Sequence, residues 1–161
     1  MSKNITVASA ALTDERSRTL IAALNAELGA MYPEPGANHF GLDPAEVSGA
    51  RGAFVIVSCN GQPVGCGAMR LIDRETGELK RMFVAPEARG KGLGRRLVTA
   101  LEAEARARGA RRLVLETGIR QLAALALYRA CGFQTIPLYG EYLHSPATSV
   151  CLGKELGAAN P

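Results

Sequence analysis

An α/β fold, with a mixed, mostly antiparallel central sheet of about seven strands and flanking helices, is predicted by three observations. Three apolar, β-branched-rich runs follow one another at residues 53–59, 64–72 and 78–84, with turn-forming Asn60-Gly61 and Thr76-Gly77 between them. Two segments carry apolar residues at helical spacing: Leu20, Ile21, Leu24 and Leu28, then Leu93, Leu97, Leu101 and Ala105. From residue 112 onward, strand-like and helix-like stretches alternate. At 161 residues the chain has the length of one domain, taken as residues 1–161, and a chain of that size buries roughly 70% of its unfolded surface.

Ile5-Thr-Val-Ala reads as a first strand, and Thr13 and Asp14 open the first helix, which Gly29 or the Tyr32-Pro33 step ends. Residues 33–50 hold three of the eight prolines and three glycines, a long loop with a short turn at Pro44-Ala-Glu. After the three-strand meander comes a glycine-rich loop. A helix with a four-turn apolar stripe follows, which also holds Val98, and Gly109 ends it. Arg112–Thr117 is a buried strand and Gln121–Cys131 a helix closed by Gly132. Phe133–Leu138 and Ser149–Leu156 are the last strands. The order is β-α-loop-β-β-β-α-β-α-β-β.

Composition narrows the function classes. Hydrophobic residues make up 47% and charged residues 21%, ordinary globular values. The net charge of +4 is concentrated between Arg89 and Arg112, where eight Lys/Arg face two Glu. The outer arginines, such as Arg106 and Arg108, read as a solvated helix face. A nucleic-acid surface would interleave aromatics with the cations, and this stretch has none. The four cysteines form no C-x-x-C pair and only His39 and His144 accompany them, which argues against a metal site. The first residues lack the cationic and apolar regions of a signal peptide, and no run of 18 apolar residues occurs. A cytoplasmic protein with no membrane partner is the expectation.

The most specific text is Val84-Ala-Pro-Glu-Ala-Arg89-Gly-Lys-Gly92-Leu-Gly94-Arg-Arg. Free N–H groups and the helix dipole make a helix start an anion site, and glycines let a phosphate approach the main chain. Cations are disfavoured at that end of a helix, so Arg89, Lys91, Arg95 and Arg96 together ask for a compensating anion. The spacing G-x-G-x-G is neither the dinucleotide fingerprint nor the Walker loop. A Val-x-Pro strand end before it, and a Tyr-x-x-x-Gly-Phe further on, make the run far more specific than glycines alone.

With these features the chain, over about residues 4–156, resembles the GCN5-related N-acetyltransferases, whose signature [QR]-x-x-G-x-[GA] is met by Arg89, Gly92 and Gly94. The resemblance implies transfer of an acetyl group from acetyl-CoA to an amine, without a metal. It places the cofactor where the strand at 78–84 splays from that at 112–117, with Met82, Phe83 and Val84 pairing to the pantetheine arm and the Met82 N–H facing the thioester oxygen. The pyrophosphate falls on Arg89, Gly90, Lys91, Gly92, Leu93, Gly94 and Arg95. Tyr128 matches the tyrosine that protonates the leaving thiolate; on its own pattern, flanked by Leu125 and Phe133, it reads as a core residue. Gln121 stands where the family commonly has asparagine, one carbon shorter.

For the base, Glu78 matches a position where some members carry a catalytic glutamate, while T-G-E is also common exposed-turn text. Glu116 on the facing strand is the second candidate and a chain of waters the third. Tyr32, His39, Glu116 and Tyr142, with Tyr139 and Glu141, are candidates for the acceptor side. A small amine is the expected acceptor. A protein or peptide amine, or a non-catalytic acetyl-CoA-binding module, are the alternatives, and a homodimer is left open.

Overall fold

The computed structural model describes residues 4–33 and 41–157. Seven strands form one sheet: β1 (Ile5–Ser9), β2 (Gly52–Cys59), β3 (Gln62–Leu71), β4 (Thr76–Val84), β5 (Arg112–Gly118), β6 (Gln134–Ile136) and β7 (Ser149–Glu155). Their order across the sheet is β1-β2-β3-β4-β5-β7-β6. Among the described residues only β4 and β5 run parallel, because the helix α2 (Leu93–Ala107) crosses over between them. The helices α1 (Glu15–Met31) and α3 (Leu122–Ala130) and short 3₁₀ turns complete the chain.

The helices lie where the periodicity places them. Asp14 caps α1, its carboxylate accepting from the Arg16 N–H at 2.9 Å. The helix runs through Gly29 and stops at Met31, ahead of Pro33. Leu93, Leu97, Val98, Leu101 and Ala105 of α2 are all at most 1% exposed and pack with Val55, Val57, Met69 and Leu79 on one face of the sheet. Each such leucine contributes about 1.5–3 kcal/mol. Leu20 and Leu24 of α1 cover the other face, over Phe54, Ile56, Cys66, Ala68 and Phe83. Both faces of β2 are therefore buried, which is why its sequence is continuously apolar rather than alternating.

Two local expectations are corrected, and one element is added. The turn before β4 is not at Thr76-Gly77, which already lie in the strand; it is at residues 73–75, where Asp73 Oδ1 accepts from the N–H groups of Glu75 and Thr76 at 2.9 and 2.8 Å. The strand after Gly132 is only three residues long, and β7 inserts between it and β5. Residues Gly140–His144 form a 3₁₀ turn that the sequence pattern does not announce. Asn60 and Gly61 do make the expected hairpin turn, both with positive φ (51° and 80°).

Candidate active site

The site begins with a failure of pairing. β4 and β5 match from Thr76↔Arg112 to Leu79↔Leu115 and then part, although β4 continues to Val84 and β5 to Gly118. A bulge drives β4 away: Arg81 and Met82 together oppose the single residue Gly67 between the pairs Cys66↔Phe83 and Ala68↔Lys80. Arg81 sits at φ 56°, in the left-handed region. A regular strand turns successive side chains to opposite faces; the bulge breaks that alternation at the opening.

Two cavities fill the opening and meet at Leu24, Met82, Gln121 and Tyr128. The larger, about 590 Å³, is walled by Met82, Phe83 and Val84 of β4, by Arg89, Gly90, Gly92, Leu93, Gly94 and Arg95 of the glycine loop and α2, and by the start of α3. Gly90 and Gly92 have φ of 79° and 77°, conformations that glycine adopts without the penalty other residues bear. Gly92 is the residue before α2, so the first N–H groups of that helix face outward without helical partners. Lys91 is exposed and is not on the cavity wall.

Arg89 differs from the expectation that it waits for an anion. Its Nη2 donates to both carboxylate oxygens of Glu27 in α1, at 2.8 and 2.7 Å, and its Nε donates to the Val84 carbonyl at 2.9 Å. Both members of this pair line the larger cavity. The outer arginines are also matched: Arg108 with Glu104 at 2.6 Å and Arg106 with Glu102 at 3.7 Å.

The smaller chamber, about 90 Å³, lies on the far side of the junction. Tyr32, Lys80, Arg81, Glu116 and Tyr142 are on its wall. Tyr32 is buried, and its hydroxyl accepts from the Arg120 N–H at 2.8 Å. Glu116 accepts from the Ser149 hydroxyl at 2.6 Å, and burial raises its carboxyl above the usual 4.5. Burial likewise pushes the Lys80 ammonium below its usual 10.5. The Lys80 Nζ donates to the Gly41 carbonyl at 3.0 Å. His39 lies outside the described residues.

Glu78 is not the exposed turn residue that its T-G-E context allows, and it is on neither cavity wall. It is 1% exposed, with Arg70 Nε donating to Oε1 at 2.8 Å and the Tyr139 hydroxyl to Oε2 at 2.6 Å. Arg70 also holds Glu46 at 2.6 Å and Glu141 at 3.4 Å. Tyr142, packed edge-on against Tyr139, stands between this network and the chamber. Tyr128 is 5% exposed at the junction, and burial raises its hydroxyl well above 10, so it keeps its proton at neutral pH. Gln121 precedes α3 and lines both cavities.

Sequence reasoning missed Lys80, Arg81, Arg70 and Glu27. A signal was present for the first two: adjacent charges inside the apolar run Leu79-Lys-Arg-Met-Phe83 conflict with a regular buried strand and point to a bulge.

Comparison with known proteins agrees with this geometry. A curated IAA acetyltransferase of Azospirillum brasilense is 41% identical over 89% of this chain and 93% of its own length. An aminoglycoside N(6')-acetyltransferase type 1 of Stenotrophomonas maltophilia is 32% identical over 57% of this chain and 69% of its own. Among solved structures, a Klebsiella pneumoniae protein described as a putative acyl-CoA N-acyltransferase superposes with TM-score 0.79 at 38% identity, over 94% of this chain and 97% of that one. Residues 17–133, which carry the meander, the bulge, the glycine loop and Tyr128, match the model of the acetyltransferase (GNAT) family, and the chain belongs to that family.

Proposed function

We propose that the protein transfers an acetyl group from acetyl-CoA to a primary amine of a small molecule, by direct attack with both substrates bound. The observation that carries this reading is the junction of the two cavities: the splay of β4 from β5 opens onto the glycine loop on one side and onto a separate polar chamber on the other. The long cleft suits an elongated donor with a diphosphate at the α2 start. Structures of family members with acetyl-CoA or CoA support the donor: an Elizabethkingia anophelis protein with acetyl-CoA bound and a Bacillus subtilis one with CoA share the fold. The names of the two curated relatives support a small-molecule acceptor. The reading carries a cytoplasmic location with it; the four cysteines are free.

Each residue then has a defined task. The N–H groups at the start of α2 hold phosphate oxygens, and Arg95, on the cleft wall, adds positive charge. The main chain of residues 82–84, released from β5, pairs with the amide-bearing arm of the donor, and the Met82 N–H stabilises the charge that develops on the thioester oxygen. Gln121 contacts the same arm. Tyr128, at the junction, donates its proton to the departing sulfur. Glu116 removes the proton of the incoming amine. It lines the chamber, and its raised affinity for protons suits a base working near neutrality. Glu78, with both oxygens engaged, orients Arg70, Tyr139 and the Tyr142 wall.

The test is calorimetric titration with acetyl-CoA, followed by a small-amine screen that reads free CoA thiol. One-to-one saturable binding with amine-dependent release of CoA is expected. Absence of acetyl-CoA binding overturns the reading. Tyr128→Phe is expected to lower kcat about 10²-fold or more with acetyl-CoA affinity retained; unaltered kcat assigns Tyr128 to the core alone.

A further inference from the structure

Glu116 is the first residue of β5 past its last pair with β4, Leu79↔Leu115, so the ladder continues there on the β7 side alone. The register sets Cys151 opposite Glu116 and Ser149 opposite Gly118. Residues two apart in a strand share a face, which makes Ser149 the diagonal neighbour of Glu116. Its hydroxyl donates to Glu116 Oε2 at 2.6 Å, the short range of an O–H on a charged carboxylate. Among the described residues it is the one hydrogen-bond donor to this carboxylate. Ser149 is itself 6% exposed, its N–H donates to the Ser145 carbonyl at 3.0 Å, and it is on neither cavity wall. It therefore holds Glu116 from behind, while Glu116 lines the chamber.

A carboxylate must be charged to accept a proton, and much of what surrounds Glu116 opposes charge. Burial raises its carboxyl most, and Glu78 of β4 and Glu141 of the 140–144 turn raise it further; Ser149 and Lys80 of β4 act the other way. Lys80 is itself engaged, by the Gly41 carbonyl at 3.0 Å and by Glu141 at 3.7 Å. Tyr32, Tyr128, Tyr142 and Cys151 also lie within the field of Glu116. Burial lifts each of them above its ordinary value, so all four stay neutral near pH 7. We propose that Ser149 is a positioning residue for acetyl transfer: its hydroxyl, fixed on Oε2, directs the Glu116 carboxylate and keeps it charged, leaving Oε1 to take the proton of the amine. The inference rests on the acetyl-transfer reading above, with Glu116 as its base.

The experiment removes and restores one hydroxyl. The full-length protein and its Ser149→Ala and Ser149→Thr variants are assayed for kcat/KM across pH, at saturating acetyl-CoA with one productive amine. Ser149→Ala is expected to move the acidic limb, the one that Glu116→Gln removes, up by about one pH unit, the worth of a hydrogen bond to a charged group. Ser149→Thr keeps the hydroxyl and should hold the limb near wild type, and acetyl-CoA affinity should be unchanged in both. A limb unmoved in Ser149→Ala, or a loss of kcat/KM by one factor at every pH, overturns the inference while leaving acetyl transfer standing. Urea unfolding reads the same contact without turnover. A carboxyl raised by burial favours folding at low pH and loses that contribution as pH rises through its folded value. Without its donor the loss deepens. The unfolding equilibrium constant of Ser149→Ala relative to wild type should therefore rise about tenfold from about pH 4 to about pH 8. A ratio constant with pH also overturns the inference. Binding of acetyl-CoA with no turnover of any amine overturns the acetyl-transfer reading and the role of Ser149 in it, even where the unfolding ratio shows the contact.

Discussion

Gly118→Ala tests the architecture of the chamber with one methyl group. Gly118 ends β5, and a Cβ built there falls 1.8 Å from the Tyr32 hydroxyl oxygen, 2.3 Å from Cζ and 2.8 Å from Cε2. The clash reaches into the ring, so hydroxyl rotation does not relieve it. Tyr32 is 4% exposed, accepts from the Arg120 N–H at 2.8 Å and has the Arg120 guanidinium 4.9 Å from its ring centre. Displacing the ring forfeits about 1.5–3 kcal/mol of burial, about 1 kcal/mol of hydrogen bonding and about 0.5–1 kcal/mol of cation–π attraction. The sum is about 3–5 kcal/mol, a fall in Tm of about 6–20 °C for a chain of this length. The assay is a double-mutant cycle by thermal and urea unfolding with Tyr32→Ala. In the Tyr32→Ala background, Gly118→Ala should cost under about 1 kcal/mol, since nothing remains to displace. Equal losses in both backgrounds would refute the reasoning. The single variant should also raise the acceptor KM, because Tyr32 lines the chamber.

Three further outcomes are expected. Gly92→Asp has open space for its side chain but sits at φ 77°, so stability should fall by only about 1–2 kcal/mol, while the added negative charge at the α2 start abolishes acetyl-CoA binding in calorimetry; retained affinity would remove the diphosphate from that loop. For Glu116, a carboxyl raised by burial is protonated and favourable to folding at low pH, and that contribution is lost as pH rises through its folded value. Glu116→Gln should therefore gain stability relative to wild type as pH climbs above about 4.5, and it should lower kcat by about 10²-fold or more and remove the acidic limb of the kcat/KM profile. The converse, with the limb lost in Glu78→Gln and kept in Glu116→Gln, would make Glu78 the base. Arg89→Ala should weaken acetyl-CoA binding by leaving Glu27 as an uncompensated anion on the cleft wall, and Glu27→Gln should restore most of the loss; no restoration would mean that Arg89 holds phosphate directly.

The sequence was a good guide wherever a local rule acts alone. The apolar period of α2, the Asn60-Gly61 turn, the proline-bounded end of α1 and Gly132 after α3 each follow from constraints within a few residues. The glycine loop was legible for the same reason: left-handed backbone at Gly90 and Gly92, ahead of a helix start, is a local arrangement that only a few residue patterns satisfy. Its boundary error, at Thr76, arose because Asp73 rather than the Thr-Gly pair closes the turn.

Charge and exposure were not legible, because they depend on what the fold brings from afar. Glu78 reads from its sequence context as either a catalytic base or an exposed turn residue, and only the fold buries it between Arg70 of the neighbouring strand and Tyr139, 61 residues onward. Arg89 reads as a free cation, yet Glu27, 62 residues away in the chain, meets it. The sequence by itself determined most of the elements and the glycine loop ahead of α2, since those rest on short-range backbone preferences. Only the tertiary structure decided that Glu116 rather than Glu78 lines the smaller chamber and that Lys80 and Arg81 share that chamber. Those outcomes follow from the register of β3 on β4 and the parting of β4 from β5, and both are set by packing across the whole sheet.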